Sequence, residues 1–313
     1  MDTLDHDVIV VGAGIAGLSA ALMLGRALRD TVVLDTGTPR NRYAHQMHGV
    51  LGHDGTNPYD LLSRGRAEVS AYGVPVLDTS AVSVADTGPS IAVTTGDGTT
   101  ITARRLLLAT GVRDALPDIP GLAEGWGRDV LHCPYCHGWE VRGRRLAVLA
   151  TSPMALHQAQ LIRQWSPEVT FFAAGAGPIS AADEATLAAR GVVVDLRPIR
   201  AVVRDATGTM TALQVDGGDQ IGVDAVFTAG QLQPIDGTVA DLGLDRTEQP
   251  FGAFITVDPT GRTSHPRIWA AGNVVNPMAN VPISAAAGTM AGSMINADLV
   301  TEDFDRAVAE VAR

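Results

Sequence analysis

Apolar residues in this chain fall in short continuous runs bounded by glycine, more than in long amphipathic stripes. Asp7 to Val11 is a β-branched run too apolar for a half-exposed strand, and it feeds Gly12-Ala13-Gly14-Ile15-Ala16-Gly17. That pattern predicts a buried parallel strand entering a glycine-rich turn. Leu18 to Arg29 has helical composition, and Thr31 to Leu34 is again strand-like and ends at Asp35. The chain therefore opens with a βαβ unit. Thr36 to Asp54 shows no period and scatters Pro39, Arg40, Asn41, Arg42, His45, His48 and His53 among glycines. From Val74 to Ala109, alternating runs such as Ile91-Ala92-Val93-Thr94 and Thr100-Ile101-Thr102 flank a Gly-Asp-Gly turn, which predicts a β-meander. Arg105 to Gly111 returns a buried strand to the first sheet.

Asp114 to Pro120 carries two prolines and reads as a linker. Leu146 to Ala150 starts a second βαβ pattern, with a helix over Met154 to Trp165 and a strand over Val169 to Phe172. Further strands are predicted at Val192–Asp195, Ala201–Arg204, Leu213–Val215 and Ala225–Thr228, with a return crossing at Gly230–Pro234. Phe254 to Val257 and Arg267 to Ala271 follow as strands. Pro282 to Ala297 reads as an Ala/Gly-rich helix, and the last dozen residues as a separate short acidic helix. The fold class is α/β, with two Rossmann-like three-layer domains and a β-meander. Residues 1–114 and 236–313 make a discontinuous domain into which 115–235 is inserted.

The two glycine-rich possibilities differ in chemistry. In the first unit the glycines permit a tight turn, close approach of a pyrophosphate and helix-on-strand packing, while the helix N-terminus faces the phosphates. Asp35 stands eighteen positions after Gly17, where an acid accepts from a ribose hydroxyl. The second turn, Ala150-Thr151-Ser152-Pro153-Met154-Ala155, contains no glycine, and Ala173-Ala174-Gly175-Ala176-Gly177 offers no arginine to a 2′-phosphate. The scaffold of a nicotinamide domain is predicted there without its binding chemistry.

Composition narrows the setting. The 313 residues carry a formal net charge of −11 and contain no lysine, which disfavours nucleic acid and anionic membrane as partners. The acidic start, Met1 to Asp7, does not read as a signal peptide, and no run is long enough to span a bilayer. A cytoplasmic protein is expected, in which a cysteine pair works as chemistry and not as a staple.

That pair sits in His132-Cys133-Pro134-Tyr135-Cys136-His137-Gly138-Trp139 and holds the only two cysteines of the chain. A Cys-x-x-Cys pair among βαβ patterns reads as a redox dithiol, with one thiolate as nucleophile and its neighbour resolving the mixed disulfide. Zinc is a weaker reading, because adjacent His and Cys residues rarely converge on one tetrahedral ion and no second cluster completes a set. Inert buried cysteines are the third reading, opposed by flanking Pro, Tyr, His and Gly residues that suit a turn at a helix start. His137 is a candidate acid/base, since an imidazole exchanges protons with thiols at working pH; the plainer alternative is that it lines the turn. Tyr135 and Trp139 form either an apolar wall for a small flat substrate or part of the core.

Gly12 to Gly17, Asp35, Ala109-Thr110-Gly111, the dithiol in an inserted βαβ domain, and Ala270-Ala271-Gly272-Asn273, in that order, resemble the low-molecular-weight thioredoxin reductase superfamily of flavoproteins. The resemblance implies a homodimer binding FAD along Gly12-Ala13-Gly14-Ile15-Ala16-Gly17, at Asp35 and Thr36, Arg40 and Asn41, His48, Ala109-Thr110-Gly111, Gly272-Asn273 and Val281-Pro282. Three features depart from the NADPH-dependent members. His137 follows the dithiol where they have Asp, the second glycine motif is lost, and the basic phosphate cluster is missing. Asn273 replaces a usual Asp, which still leaves a hydrogen-bonding amide. Cys-Pro-aromatic-Cys-His-Gly instead resembles the FAD-dependent dithiol oxidases of the holomycin and gliotoxin type, which close disulfides in natural products. This implies a thiol oxidase in which a small dithiol attacks Cys133, Cys136 stands toward the flavin, and dioxygen takes the electrons. A thioredoxin reductase fed by NADPH or another donor, and a non-catalytic redox sensor, are the competing expectations.

Overall fold

A computed structural model of the chain describes residues 5–250 and 252–312; the first four residues, with which the acidic N-terminal stretch begins, lie outside them. In chain order the strands and α-helices begin with β1 (His6–Val11), α1 (Ile15–Arg26), β2 (Thr31–Asp35), α2 (Pro58–Ala71), β3 (Val76–Asp78), β4 (Ala81–Asp86), β5 (Ile91–Thr95), β6 (Thr100–Leu108) and β7 (Val112–Ala115). There follow β8 (Val130–Leu131), α3 (Pro134–His137), β9 (Leu146–Leu149), α4 (Ala155–Ile162), β10 (Val169–Phe172), α5 (Ala181–Ala189) and β11 (Val192–Asp195). Next come β12 (Ile199–Arg204), β13 (Met210–Val215), β14 (Gln220–Gly222), β15 (Ala225–Thr228) and β16 (Gln231–Pro234). The chain closes with β17 (Arg246–Gln249), β18 (Gly252–Ile255), β19 (Ile268–Ala270) and α6 (Val281–Val311).

The chain forms two compact units. The first comprises residues up to 42, 59–113 and from 232 onward; the second comprises 43–58 and 114–231. The segment 43–58 thus groups with the inserted unit, whereas the sequence pattern assigns it to the domain around it.

In the first unit β3, β2, β1, β6 and β19 pair in parallel, and β6 turns antiparallel to β5 and then β4. The last three strands are the predicted meander. Val8, Ile9 and Val10 are fully buried because β1 has a strand on each side and helices or chain on both faces. Each such side chain contributes about 1.5–3 kcal/mol relative to exposure. Helices α1 and α6 pack backbone to backbone: a Cβ at Gly288 or Gly292 would strike the carbonyl of Ala16 or Ala20. The alanine and glycine content of α6 therefore serves close packing.

α6 is one helix of 31 residues, not the two that the sequence pattern suggests. Its polar middle stays helical because ion pairs hold it. Arg105 lies 2.6 Å from both Asp298 and Glu302, Arg104 lies 2.6 Å from Asp303, and Arg29 Nε donates to Asn296 at 2.8 Å.

The second unit has a five-stranded parallel sheet in the order β11-β10-β9-β15-β8, beside the antiparallel β12-β13-β14. Its core is apolar, with Phe171, Phe172 and Phe227 fully buried. Among the described residues no helix is long and apolar enough to cross a membrane.

Candidate flavin and dithiol sites

In the first unit the expected cofactor residues gather at the carboxyl ends of parallel strands. Gly12 follows β1, Asp35 ends β2, Ala109 follows β6, and Gly272 lies just beyond β19. Ligands of open α/β sheets bind at this edge. Gly12 has φ +103°, and a Cβ there would press into the Ala109 carbonyl; a Cβ at Gly17 would run into the Gly12 carbonyl. Gly14 differs: it caps α1 without a side-chain hydrogen bond, and a Cβ there would meet nothing within 4 Å. Side-chain atoms at this position would fill the ground over the helix N-terminus, which is the cradle a pyrophosphate needs.

Asp35 is fixed from three directions. Its carboxylate accepts from Ala13 N–H at 2.9 Å and Gly37 N–H at 3.0 Å, and it pairs with Arg66 of α2. Arg66 was not singled out by the sequence, because α2 has no clear stripe and the pairing spans 31 residues. Thr110 Oγ1 is buried with no hydrogen-bond partner among the described residues, which suits a ligand acceptor or donor beside Ala109 and Gly111. Asn273 Nδ2 donates to the carbonyls of Asn276 (3.0 Å), Pro277 (3.3 Å) and Ala279 (2.9 Å). A carboxylate could not make those bonds, so the Asn both ties the loop and keeps Oδ1 as an acceptor. Arg40 donates to the same Pro277 carbonyl at 3.1 Å. Val281 and Pro282 open α6 behind the cap Asn280, whose side chain accepts from Ile283 N–H at 3.1 Å. Thr36 Oγ1 lies 2.9 Å from Thr38 Oγ1. The residues present fit a flavin dinucleotide: a glycine cradle, an acid at the end of β2 and an orphaned hydroxyl.

His48 is the exception. It lies in the second unit, with Nδ1 3.3 Å from Asp54 and Nε2 3.5 Å from Glu140. Both ring nitrogens face carboxylates, one of them on the stretch that follows the dithiol turn.

The dithiol stands on α3, a single turn. Pro134 occupies its first turn, where the missing N–H costs nothing, and Cys133 precedes it in extended conformation. The Cys133 carbonyl accepts from Cys136 N–H at 3.1 Å and His137 N–H at 3.2 Å. Cys133 and Cys136 are joined as a disulfide with Cα atoms 5.3 Å apart. Among the described residues no three His, Cys, Asp or Glu side chains are grouped to hold a metal ion.

Tyr135 is 73% and Trp139 66% exposed, so both belong to the surface and not to the core. Tyr135 meets the buried side of the turn edge-on through Trp165, with ring centroids 5.6 Å apart, and the Arg142 guanidinium lies 3.9 Å over Trp139. His132 Nδ1 lies 3.3 Å from the Thr228 carbonyl, at the far end of the same sheet edge. His137 has both ring nitrogens buried with no hydrogen-bond partner among the described residues. Burial pushes its imidazole below the ordinary value; the Glu140 carboxylate and the Cys133 carbonyl oppose this, and His48 and His132 add to it. A neutral imidazole with spare bonding capacity, next in sequence to Cys136, can take a proton from a thiol.

The second βαβ turn is built differently from the first. Thr151 Oγ1 donates to the Ala229 carbonyl at 2.6 Å, and Met154, not a glycine, precedes α4. Residues with side chains stand where the first turn has glycine.

The sequence profile of the pyridine nucleotide-disulphide oxidoreductases matches residues 6–292. Thioredoxin reductase tcpT of Claviceps purpurea is 32% identical over 310 residues, covering 95% of each chain. Thioredoxin reductase sirT of Leptosphaeria maculans is 33% identical over 316 residues, again covering 95% of each. The crystal structure of HlmI superposes with a TM-score of 0.94 at 41% identity, covering 98% of this chain and 96% of that one.

Proposed function

The chain belongs to the pyridine nucleotide-disulphide oxidoreductases, of thioredoxin reductase type, and from that premise we propose that it is a flavin-dependent thiol oxidase. Its substrate is a small-molecule dithiol, which it closes to an intramolecular disulfide in natural-product biosynthesis or self-protection. The observation that carries this reading is the contrast within the second unit: a Cys133–Cys136 disulfide together with a nucleotide-type turn that has Thr151, Pro153 and Met154 and no glycine. Electrons that cannot enter from a bound nicotinamide come from the substrate.

A substrate thiolate attacks Cys133 Sγ, the Cys133–Cys136 bond breaks, and Cys136 leaves as a thiolate. The second substrate thiol attacks the mixed disulfide, releases Cys133 and forms the cyclic product. His137 takes a proton from the thiols as they ionise: burial keeps its ring neutral, and its nitrogens have no other partner among the described residues. Tyr135 and Trp139 offer the exposed apolar wall against which a flat substrate lies. Gly12–Gly17, Asp35, Thr110 and Asn273 would hold FAD, which would supply a two-electron acceptor between the dithiol and dioxygen, with hydrogen peroxide as the second product. The homodimer implied by the family is part of the same proposal.

A second reading is a disulfide reductase using NADPH or another donor, and the names of the two fungal relatives favour it. Single cysteine variants test the oxidase. Cys133→Ser and Cys136→Ser should each abolish dithiol-driven peroxide release, and only Cys133→Ser should keep a thiolate that gives long-wavelength absorbance with the flavin. The reverse pattern would exchange the two roles, and peroxide release surviving both variants would remove the dithiol from the reaction.

A further inference from the structure

The loop 43–58 is braced by its own hydrogen bonds. Met47 N–H donates to the Thr56 carbonyl and Gly55 N–H to that of Met47, both at 2.9 Å, and Asn57 Nδ2 donates to the His45 carbonyl at 3.0 Å. Its start packs against the rest of the second unit, since a Cβ at Gly127 would come within 2.7 Å of the Tyr43 side chain. Near the middle of this frame His48 is 20% exposed, with Asp54 Oδ2 3.3 Å from Nδ1 and Glu140 Oε1 3.5 Å from Nε2. Asp54 is itself fixed by Gly49 N–H at 2.9 Å. Glu140 stands three residues after His137, on the turn that carries the cysteines.

We propose that His48 is a positioning residue for the dithiol chemistry: clamped between Asp54 and Glu140, it anchors the Cys136–Glu140 turn to the 43–58 loop and offsets the Glu140 carboxylate beside His137. The inference rests on His137 as the proton acceptor of the oxidase reading. His48 sets a ring nitrogen toward each of two carboxylates, so the same side chain ties the loop to Glu140 and lies within the field that Glu140 exerts on His137. The groups acting on His137 are Glu140, His48 and His132, together with the Cys133 carbonyl. Glu140 and His48 act in opposite senses, and removing either unbalances the pair.

The test is a histidine-ring NMR titration of the flavin-loaded enzyme, with the His137 resonance assigned from His137→Gln. In His48→Gln the Glu140 charge is unopposed, and the His137 midpoint should rise by roughly half a pH unit or more. In Glu140→Gln it should fall by a similar amount, and the double variant should lie near the parent. A purely structural clamp would loosen the turn in both single variants and move the midpoint the same way in each. That result, or no movement in either, overturns the proposal. The pH profile of dithiol oxidation separates the two claims. Opposite NMR movements with an unmoved rate profile uphold the His48 clamp and reject His137 as the acid/base.

Discussion

Two strands of this molecule, β1 and β9, each leave a parallel sheet through a turn into a helix, and the two turns have opposite fates. After β1 the backbone is bare: Gly14 leaves the start of α1 uncovered, and Gly12 and Gly17 let strand, helix and the Ala109 crossing come into contact. After β9 the same ground holds Thr151, bonded to Ala229, then Pro153 and Met154. Yet the second unit keeps the close approach that packing requires, since a Cβ at Gly175 would strike the Ala150 carbonyl. A βαβ scaffold thus needs its glycines for two separable reasons, packing and ligand approach. In the second unit Gly175 serves the first, and the turn before α4 has no glycine for the second.

Substitution at the first turn should give the largest effect. Gly17→Ala forces a Cβ into the Gly12 carbonyl, and flavin content per protein, read from absorbance, should fall about tenfold or more. Pro153→Ala in the second turn should leave flavin content unchanged. Equal losses from the two would erase the distinction.

Each unit also contains an arginine, buried in the first and partly buried in the second, set on carboxylates. Arg105 holds Asp298 and Glu302 in the first; in the second, Arg204 makes a two-pronged pair with Asp129 at 2.6 and 2.9 Å. Arg204→Ala should destabilise by about 3–5 kcal/mol in denaturant unfolding, because the buried Asp129 carboxylate loses its pair, and Arg105→Ala should cost less, because Asp298 keeps Arg262 and Glu302 keeps Arg104 and Arg306. Only the Arg105 variant should also loosen flavin, since α6 begins at the cofactor edge.

The smallest effect is on acid stability. Folding lowers the basicity of His137, so the unfolded chain binds a proton more readily as pH falls below the ordinary histidine range of about 6.5. Stability associated with this group is present above that range and is lost as pH falls toward the folded value. His137→Gln should therefore lose less stability than the parent between about pH 7 and pH 5.5. An identical pH slope in both proteins would mean that the imidazole is not held neutral.

The legible parts of the fold were those with local causes. The βαβ strands, the meander and the Gly12–Gly17 turn follow from period and from glycine placement. α5 carried a readable start, Ser180 accepting from Asp183 N–H at 3.1 Å, but its alanine-rich body gave no stripe. α2 went unread for the same reason, and Arg66 with it. The single span of α6 depends on arginines nearly 200 positions away, as in Arg105 on Asp298, which no local pattern carries. His48 was legible as a candidate side chain and not as a partner of Glu140, because the aperiodic 43–58 loop has no sequence signal for where it packs. At the dithiol, the cysteines and His137 were readable from spacing, whereas the exposure of Tyr135 and Trp139 was not.

The most direct test of the oxidase account is an anaerobic titration of the flavin absorbance of the purified enzyme, with NADPH in one cuvette and a small vicinal dithiol in the other, followed by air. The account predicts bleaching by the dithiol and not by NADPH, with colour and hydrogen peroxide returning when air is admitted. Rapid bleaching by NADPH with the dithiol inert would contradict it and make the enzyme a disulfide reductase.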